Sequence, residues 1–175
     1  MPKSLQRQIG FTLIELILTV VIIGILGAVG VPSFLTFLRN TELRSASEST
    51  IQGLQLARAE AVRRNERVRF VVNANTGWVV STDATSEEIQ SKPAREGSRN
   101  VTLTFMPVTA GTDRVTFNSL GRLTTNLNAS APLTEIRFSA PSGQVTRRIT
   151  ISAGGRIHLC EPDPSIVAVD DPRKC

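Results

Sequence analysis

The sequence is poor in aromatic side chains and contains no tyrosine. Aromatic residues make up 5% of its 175 residues, and tryptophan occurs once. A hydrophobic core must therefore be assembled mainly from isoleucine, leucine, valine and phenylalanine. Beyond a long apolar run near the N-terminus, the remaining length is enough for one compact domain.

Side chains that commonly perform catalysis or bind metals are also scarce. The chain has one histidine and two cysteines, and their spacing does not match a zinc site. It lacks a glycine-rich phosphate loop followed by lysine. Adjacent carboxylates such as Glu87 and Glu88 would diverge on an extended chain. We therefore expect no catalytic residue, no metal, no cofactor and no enzymatic activity.

Charge is almost absent from residues 11–31, which read FTLIELILTVVIIGILGAVGV and carry one ionisable side chain, Glu15. Roughly 20 apolar residues span a bilayer as a helix, so this run predicts a transmembrane helix. Residues 1–10 are polar and include Lys3 and Arg7, which favours a cytoplasmic N-terminus and an external C-terminal part. The net charge of +5 is too small to indicate nucleic-acid binding by itself.

Glu15 requires an explanation because a carboxylate within an apolar span costs about 2.5 to 3.5 kcal/mol. A cut after Gly10 would leave a new α-amino group close to it along the chain. The amine of a neighbouring subunit would then be a suitable partner for the carboxylate. The alternative is that Glu15 extends to the lipid headgroups, since it lies near the end of the run.

Residues 10–15, GFTLIE, resemble the prepilin processing site of type IV pilins and type II secretion pseudopilins. The resemblance implies that a prepilin peptidase cuts after Gly10 and methylates the amine of Phe11. It also implies that Glu15 guides packing in a filament. The expected partners are the peptidase, the inner membrane, and other major and minor pilins or pseudopilins.

The helix is expected to continue past the apolar run to about Asn65. Pro32 would kink it or break it locally. Beyond Pro32, small and apolar residues recur at intervals of three and four, which is typical of one helix face: Leu43, Ala46, Thr50, Leu54, Ala57 and Ala61. We expect a transmembrane half over residues 11–31 and an amphipathic half over residues 32–65.

The rest of the chain, residues 66–175, predicts short β-strands. The candidates are residues 68–73, 78–81, 101–105, 114–117, 135–139, 147–152 and 156–159. Residues 82–100 and 124–134 lack periodicity and predict loops. Because no helical pattern separates the strands, the sheet should be antiparallel. The predicted fold class is α+β, with a long N-terminal helix packed on a C-terminal antiparallel β-sheet domain.

One hairpin can be predicted with its register. A three-residue loop at residues 153–155 would place Ile151 opposite Ile157 and Thr150 opposite His158. Opposed residues share a face, so the apolar side chains would lie on one face and the polar side chains on the other. A two-residue loop would mix the faces. Three-residue loops commonly end in a left-handed glycine, here Gly155.

Residues 117–122, FNSLGR, and the later Gly155-Arg156 resemble the GspH/FimT type of minor pilin. Some FimT-type pilins bind DNA through a Gly-Arg-x-Arg motif near the C-terminus. In this chain His158 replaces the second arginine, which reduces the positive charge at neutral pH. The resemblance makes Arg156 and His158 candidate DNA-binding residues, and the predicted hairpin register adds Arg148 on the same face. The alternative is an ordinary polar face of a hairpin.

Cys160 and Cys175 are the only cysteines. In the oxidising periplasm we expect them to form a disulfide. A loop of about 15 residues would contribute roughly 3 kcal/mol to the free energy of unfolding and would fix the acidic, proline-containing C-terminal segment. Two free thiols are the alternative. The disulfide loop is similar to that of many pilus subunits, which favours a type IV pilus over a secretion apparatus.

Three functions remain open at this point. The first is a structural minor pilin or pseudopilin, anchored in the inner membrane by a single pass with a periplasmic β-domain. The second is a DNA-binding minor pilin that acts in DNA uptake. The third is a membrane-tethered β-domain unrelated to filaments. The sequence does not separate a type IV pilus from a type II secretion apparatus.

Overall fold

The computed structural model describes residues 11–109, 111–141 and 145–161. Within these residues the chain forms one α-helix followed by nine β-strands. The chain divides into two compact units between Leu38 and Arg39. The first unit contains the N-terminal part of the helix. The second contains the rest of the helix and all nine strands.

The helix α1 extends from Leu13 to Arg64. At its start, the backbone N–H of Glu15 donates to the Thr12 hydroxyl at 3.3 Å, so Thr12 caps the helix. At its end, Asn65 is left-handed, with φ of 54°, and the N–H of Glu66 donates to the carbonyl of Ala61 at 3.2 Å. These contacts form a Schellman motif and confirm the predicted end near Asn65.

In the first unit, the helix is apolar and its side chains are exposed. Among the described residues, α1 is the one helix long and apolar enough to cross a membrane, and its most apolar 18-residue window has a mean hydropathy of 2.6. The helix continues through Pro32, whose carbonyl accepts a hydrogen bond from the Thr36 hydroxyl at 3.1 Å. A kink at Pro32 stays a prediction.

In the second unit, the predicted helix face is buried. All six of its predicted residues, from Leu43 to Ala61, are at most 2% exposed. Small side chains on this face allow a close approach of the sheet. At Gly53, a Cβ atom would lie 2.7 Å from Cε2 of Phe70 and 2.9 Å from Cδ2 of Trp78. The face therefore packs in the core, as its periodicity indicates.

The strands form two antiparallel sheets. The first sheet has the order β3-β2-β1-β5-β6 and the second the order β4-β7-β8-β9. Their bounds are β1 Val68–Val72, β2 Trp78–Thr82, β3 Glu88–Lys92, β4 Thr102–Met106, β5 Arg114–Phe117, β6 Leu123–Thr124, β7 Glu135–Ser139, β8 Val145–Ile151 and β9 Ile157–Cys160. The hydrophobic core contains Phe70, Phe117 and Phe138, all fully buried.

The prediction of a loop over residues 82–100 is wrong in its centre, where β3 lies. Among the described strands, β3 forms the edge of the first sheet and pairs with β2 alone. Its side chains are exposed except for Ile89 and Lys92, which are half-buried. Backbone hydrogen bonds to β2 hold this strand in the sheet. Because its side chains are mostly exposed, its sequence does not alternate between apolar and polar residues, and that alternation is the pattern from which a strand is predicted. The predicted loop at 124–134 is confirmed apart from Thr124, which ends β6.

Candidate functional site

The N-terminal site begins at Phe11, which is 84% exposed. Gly10 lies outside the described residues. Glu15 is also exposed and occupies the third position of the helix, three residues after its cap, Thr12. The spacing is that of a capping box, and the positive end of the helix dipole favours a carboxylate there. Sequence reasoning missed this contribution, although the Thr-x-x-Glu pattern could have indicated it.

At the other end of the helix, the two turns that carry the FNSLGR and Gly155-Arg156 strings meet. Gly155 lies so close to Gly121 that a Cβ atom on Gly155 would be 1.9 Å from the carbonyl oxygen of Gly121. That carbonyl accepts a hydrogen bond from Nε of Arg58 at 3.1 Å. The N–H of Leu123 also donates to the carbonyl of Ala153 at 3.1 Å. The helix therefore contacts a turn of the first sheet and a turn of the second sheet at the same place.

Asn118 shapes the first of these turns. Its Oδ1 accepts hydrogen bonds from the backbone N–H groups of Leu120 and Arg122, each at 3.0 Å. The turn leaves Leu120 74% exposed and Arg122 exposed. In the sequence, this segment indicates only a family resemblance. The structure gives it a physical role, since it positions Gly121 against the helix and the β8–β9 hairpin.

The β8–β9 hairpin has the predicted register. Thr150 pairs with His158 and Ile151 with Ile157, and Gly155 is left-handed with φ of 81°. We call the face of the second sheet that carries Arg137, Arg148, Thr150 and His158 the outer face. The opposite face packs in the core, where Ile136, Phe138, Ile149 and Ile151 are buried.

The three candidate DNA-binding residues differ in their surroundings. Arg156 is exposed, and its guanidinium forms no hydrogen bond or ion pair with another described residue. With half-buried His158 and Thr150 it lines a shallow depression of about 350 Å³. Arg148, by contrast, lies 3.3 Å through Nε from Oε1 of Glu135. Its charge is thus partly compensated within the protein.

Of the two cysteines, Cys160 lies within the described residues. Cys160 ends β9, is 3% exposed and lies opposite Arg148 in the strand register. Cys175 lies outside the described residues, so the Cys160–Cys175 disulfide stays a prediction. Glu161 next to Cys160 is fixed by Arg147, with 3.2 Å between Nη2 and Oε1.

Known protein families match both the N-terminal site and the region where the two turns meet. Residues 46–164 match the family described as Type II transport protein GspH. Residues 5–31 match the prokaryotic N-terminal methylation motif. The two matches cover most of the chain and contain both the GFTLIE string and the meeting point of the turns.

Solved structures with a similar fold include the type IV minor pilin FimU of Pseudomonas aeruginosa. The identity is 23% and the TM-score 0.52, over 77% of this chain and 98% of that chain. The minor pseudopilin EpsH from the Type 2 Secretion System of Vibrio cholerae matches with 14% identity and a TM-score of 0.48, over 70% of this chain and 98% of that chain.

A methylation motif followed by an apolar helix that continues into a β-domain defines a membrane-anchored subunit of the pilin and pseudopilin class. Within this class, the chain belongs to the GspH family. It is a subunit of a pilus or pseudopilus. The methylation motif implies processing by a prepilin peptidase and assembly with other pilins or pseudopilins.

Proposed function

We propose that the chain is a minor pilin whose leader is removed between Gly10 and Phe11. The new amine of Phe11 is then methylated. Residues 1–10 remain in the cytoplasm, the helix anchors the protein in the inner membrane, and the β-domain lies in the periplasm. Lys3 and Arg7, which precede the apolar run, support this orientation.

The observation that carries this proposal is the position of Glu15. It is the one charge in the exposed apolar run, and its carboxylate forms no ion pair with any residue of the described ranges. Helix capping offsets part of its free-energy cost, but a carboxylate in an apolar surrounding still favours a cation nearby. The methylated amine of a neighbouring subunit supplies that cation when subunits pack through their apolar helices.

The test of processing is the mass of the N-terminal peptide of native protein extracted from membranes. A peptide that begins at methylated Phe11 is the expected result. A peptide that begins at Met1, from cells with an active prepilin peptidase, would contradict the proposal. The proposed Cys160–Cys175 disulfide loop favours a type IV pilus over a secretion pseudopilus. Comparing the masses of the C-terminal peptides with and without reduction tests that disulfide.

A second candidate function is DNA binding. The exposed guanidinium of Arg156, which has no ion-pair partner among the described residues, favours it. Contacts with the phosphate backbone would make such binding weak and strongly dependent on salt. Since Arg148 is paired with Glu135, we assign it a smaller share of the DNA contacts than Arg156.

Arg156→Gln should weaken binding of a short DNA duplex at low salt and reduce the salt slope. Arg99→Gln, which removes another exposed arginine, is the matched control. No binding by the wild-type protein at low salt would end this hypothesis.

A further inference from the structure

The place where the two turns meet the helix also carries an exposed basic surface. The two glycines in contact are each followed directly by an arginine, Arg122 and Arg156 respectively. Arg58 of α1 approaches both turns, because its Nε would lie 3.1 Å from a Cβ atom on Gly121 and 3.2 Å from one on Gly155. All three arginines are exposed. The helix and the two turns therefore bring three positive charges to one surface.

These three arginines have no acidic partner among the described residues. The guanidinium groups of Arg122 and Arg156 form neither a hydrogen bond nor an ion pair there, and Arg58 donates from Nε to a backbone carbonyl. The nearest carboxylate along the helix, that of Glu60, already pairs with the two arginines at the end of α1. A positive surface of this kind attracts an acidic partner and speeds its association.

Exposed aliphatic side chains lie beside these charges. Leu120, which precedes Gly121, is 74% exposed, and Val62 is 53% exposed. Cγ2 of Val62 lies 3.3 Å from the position of a Cβ atom on Gly121. Val62 and Ala59 also line a depression of about 630 Å³ on the helix surface, which can receive a side chain of a partner. Exposed apolar side chains rimmed by charged ones are typical of protein–protein contact sites.

The turn that presents Leu120 is fixed by its own hydrogen bonds. The backbone N–H of Asn118 donates to the carbonyl of Arg122 at 2.9 Å, and that of Gly121 donates to the carbonyl of Asn118 at 2.8 Å. These bonds add to the two that Oδ1 of Asn118 accepts. A pre-organised turn loses little conformational entropy on binding, so a partner meets a surface that is already in place.

We propose that the arginine–leucine patch, formed by Arg58, Val62, Leu120, Arg122 and Arg156, docks an acidic surface on the folded domain of a different pilin or pseudopilin subunit. This inference rests on the proposed function, which places the chain among such subunits in a filament. A second copy of this chain fits less well, since the chain carries a net positive charge. DNA also fits less well, because the aliphatic side chains of the patch offer bases no aromatic surface on which to stack.

The experiment is site-specific photo-crosslinking in cells that assemble filaments, with p-benzoylphenylalanine in place of Leu120 in the full-length chain. The expected product is an adduct with another subunit that carries the methylation motif, and the linked peptide should contain aspartate or glutamate. Arg122→Glu combined with Arg156→Glu should lower the yield about tenfold, because like charges across an interface repel. Replacing the acidic residues of the linked peptide by lysine should restore the yield in this double variant.

The double variant should remain folded, because neither guanidinium has a partner among the described residues. Fluorescence of Trp78, the single tryptophan and 5% exposed, reports unfolding of the β-domain. Its Tm should be the same in the double variant and in the wild type, so a lower yield of the adduct would reflect the surface charge.

Three matched controls accompany the experiment. The photo-crosslinker in place of Leu127, an exposed leucine in the loop after β6, should not give the Leu120 adduct. Arg99→Glu, at another exposed arginine, should leave the yield from Leu120 unchanged. The photo-crosslinker in place of Leu26, in the exposed apolar part of α1, should link to other subunits whenever the chain is in a filament.

Each other outcome contradicts the proposal in a recognisable way. Adducts from Leu26 but not from Leu120 would overturn the docking proposal and leave the proposed pilin function intact, whereas no adduct from either position would contradict both. A nuclease-sensitive adduct at Leu120 would identify DNA as the occupant. Adducts with a second copy, or within the same chain, would also overturn the proposal, and so would an unchanged yield in the double variant.

Discussion

Gly155 meets two requirements that only glycine satisfies. Its φ of 81° lies in the left-handed region, and its α-carbon approaches the Gly121 carbonyl too closely for a side chain. The neighbouring Gly154 has neither constraint, since a Cβ there would meet only Oγ of Ser152 at 3.9 Å. The two adjacent glycines therefore have different roles: one permits the contact between the turns, and the other only completes the loop.

Gly155→Ala should lower the free energy of unfolding by more than about 1 kcal/mol, because an incompatible φ and a steric clash add together. Gly154→Ala is the control and should change it little. Chemical denaturation followed by Trp78 fluorescence measures both. Equal stability of the two variants would show that the turns separate at little cost, contrary to the close contact.

At the scale of single residues, the sequence predicts contacts and conformations that depend on residues close together along the chain. The hairpin register and the left-handed Gly155 follow from loop length and from the alternation of apolar residues. The contact of Gly155 with Gly121 and Arg58 does not, because its members lie far apart in the sequence and in different elements. The pairing of Arg148 with Glu135 was missed for the same reason, since it depends on which strand lies beside β8.

The end of helix α1 is stabilised by a small charged cluster. Nη2 of Arg63 lies 2.5 Å, and Nε of Arg64 2.9 Å, from Oε2 of Glu60. Hydrogen bonds from Arg63 and then Arg64 lower the pKa of Glu60 from 4.5 to about 2. Because the pKa is lower in the folded state, this contribution to stability is complete above pH 4.5 and disappears as the pH falls towards 2.

Glu60→Gln should therefore destabilise the protein at pH 6 and reduce the loss of stability between pH 4.5 and 2. The measurement is Tm of wild type and variant across this range. The two curves should approach each other near pH 2, where half of the wild-type carboxylate is protonated, and converge below it. Parallel curves over the whole range would contradict the assignment.

Whole elements differ in how well the sequence predicts them. The helix is long and periodic, so its buried face and its C-terminal end were both predicted, and both are confirmed. Strand β3 was not, because an exposed edge strand has no buried face to produce alternation. The division of the strands into two sheets was also not predicted, since the antiparallel pattern alone does not determine which strands become neighbours.

For the whole molecule, the first and second units differ in what they expose and bury. The first presents an exposed apolar surface with one carboxylate, and the second has its own core. Glu15→Ala should leave the protein in the membrane and leave the Tm of the β-domain unchanged, but it should greatly reduce incorporation into filaments. Quantifying the protein in sheared filaments and in membranes tests this.

Glu48→Ala is the control for that experiment, because Glu48 is an exposed carboxylate in the second unit, paired with Arg44 at 2.7 Å. It should enter filaments normally. Normal incorporation of the Glu15 variant would remove the assigned role of this carboxylate and leave helix capping as its contribution.

The buried face of the helix has a mechanical consequence. Its contacts with the sheets extend along the helix from Leu43 to Ala61. Tension applied through the N-terminal part of the helix would load these contacts in shear, and many would have to slip together before any could separate. A β-domain attached in this way resists extraction far better than one attached at a single turn, which suits a subunit held by its helix while force acts on its surface.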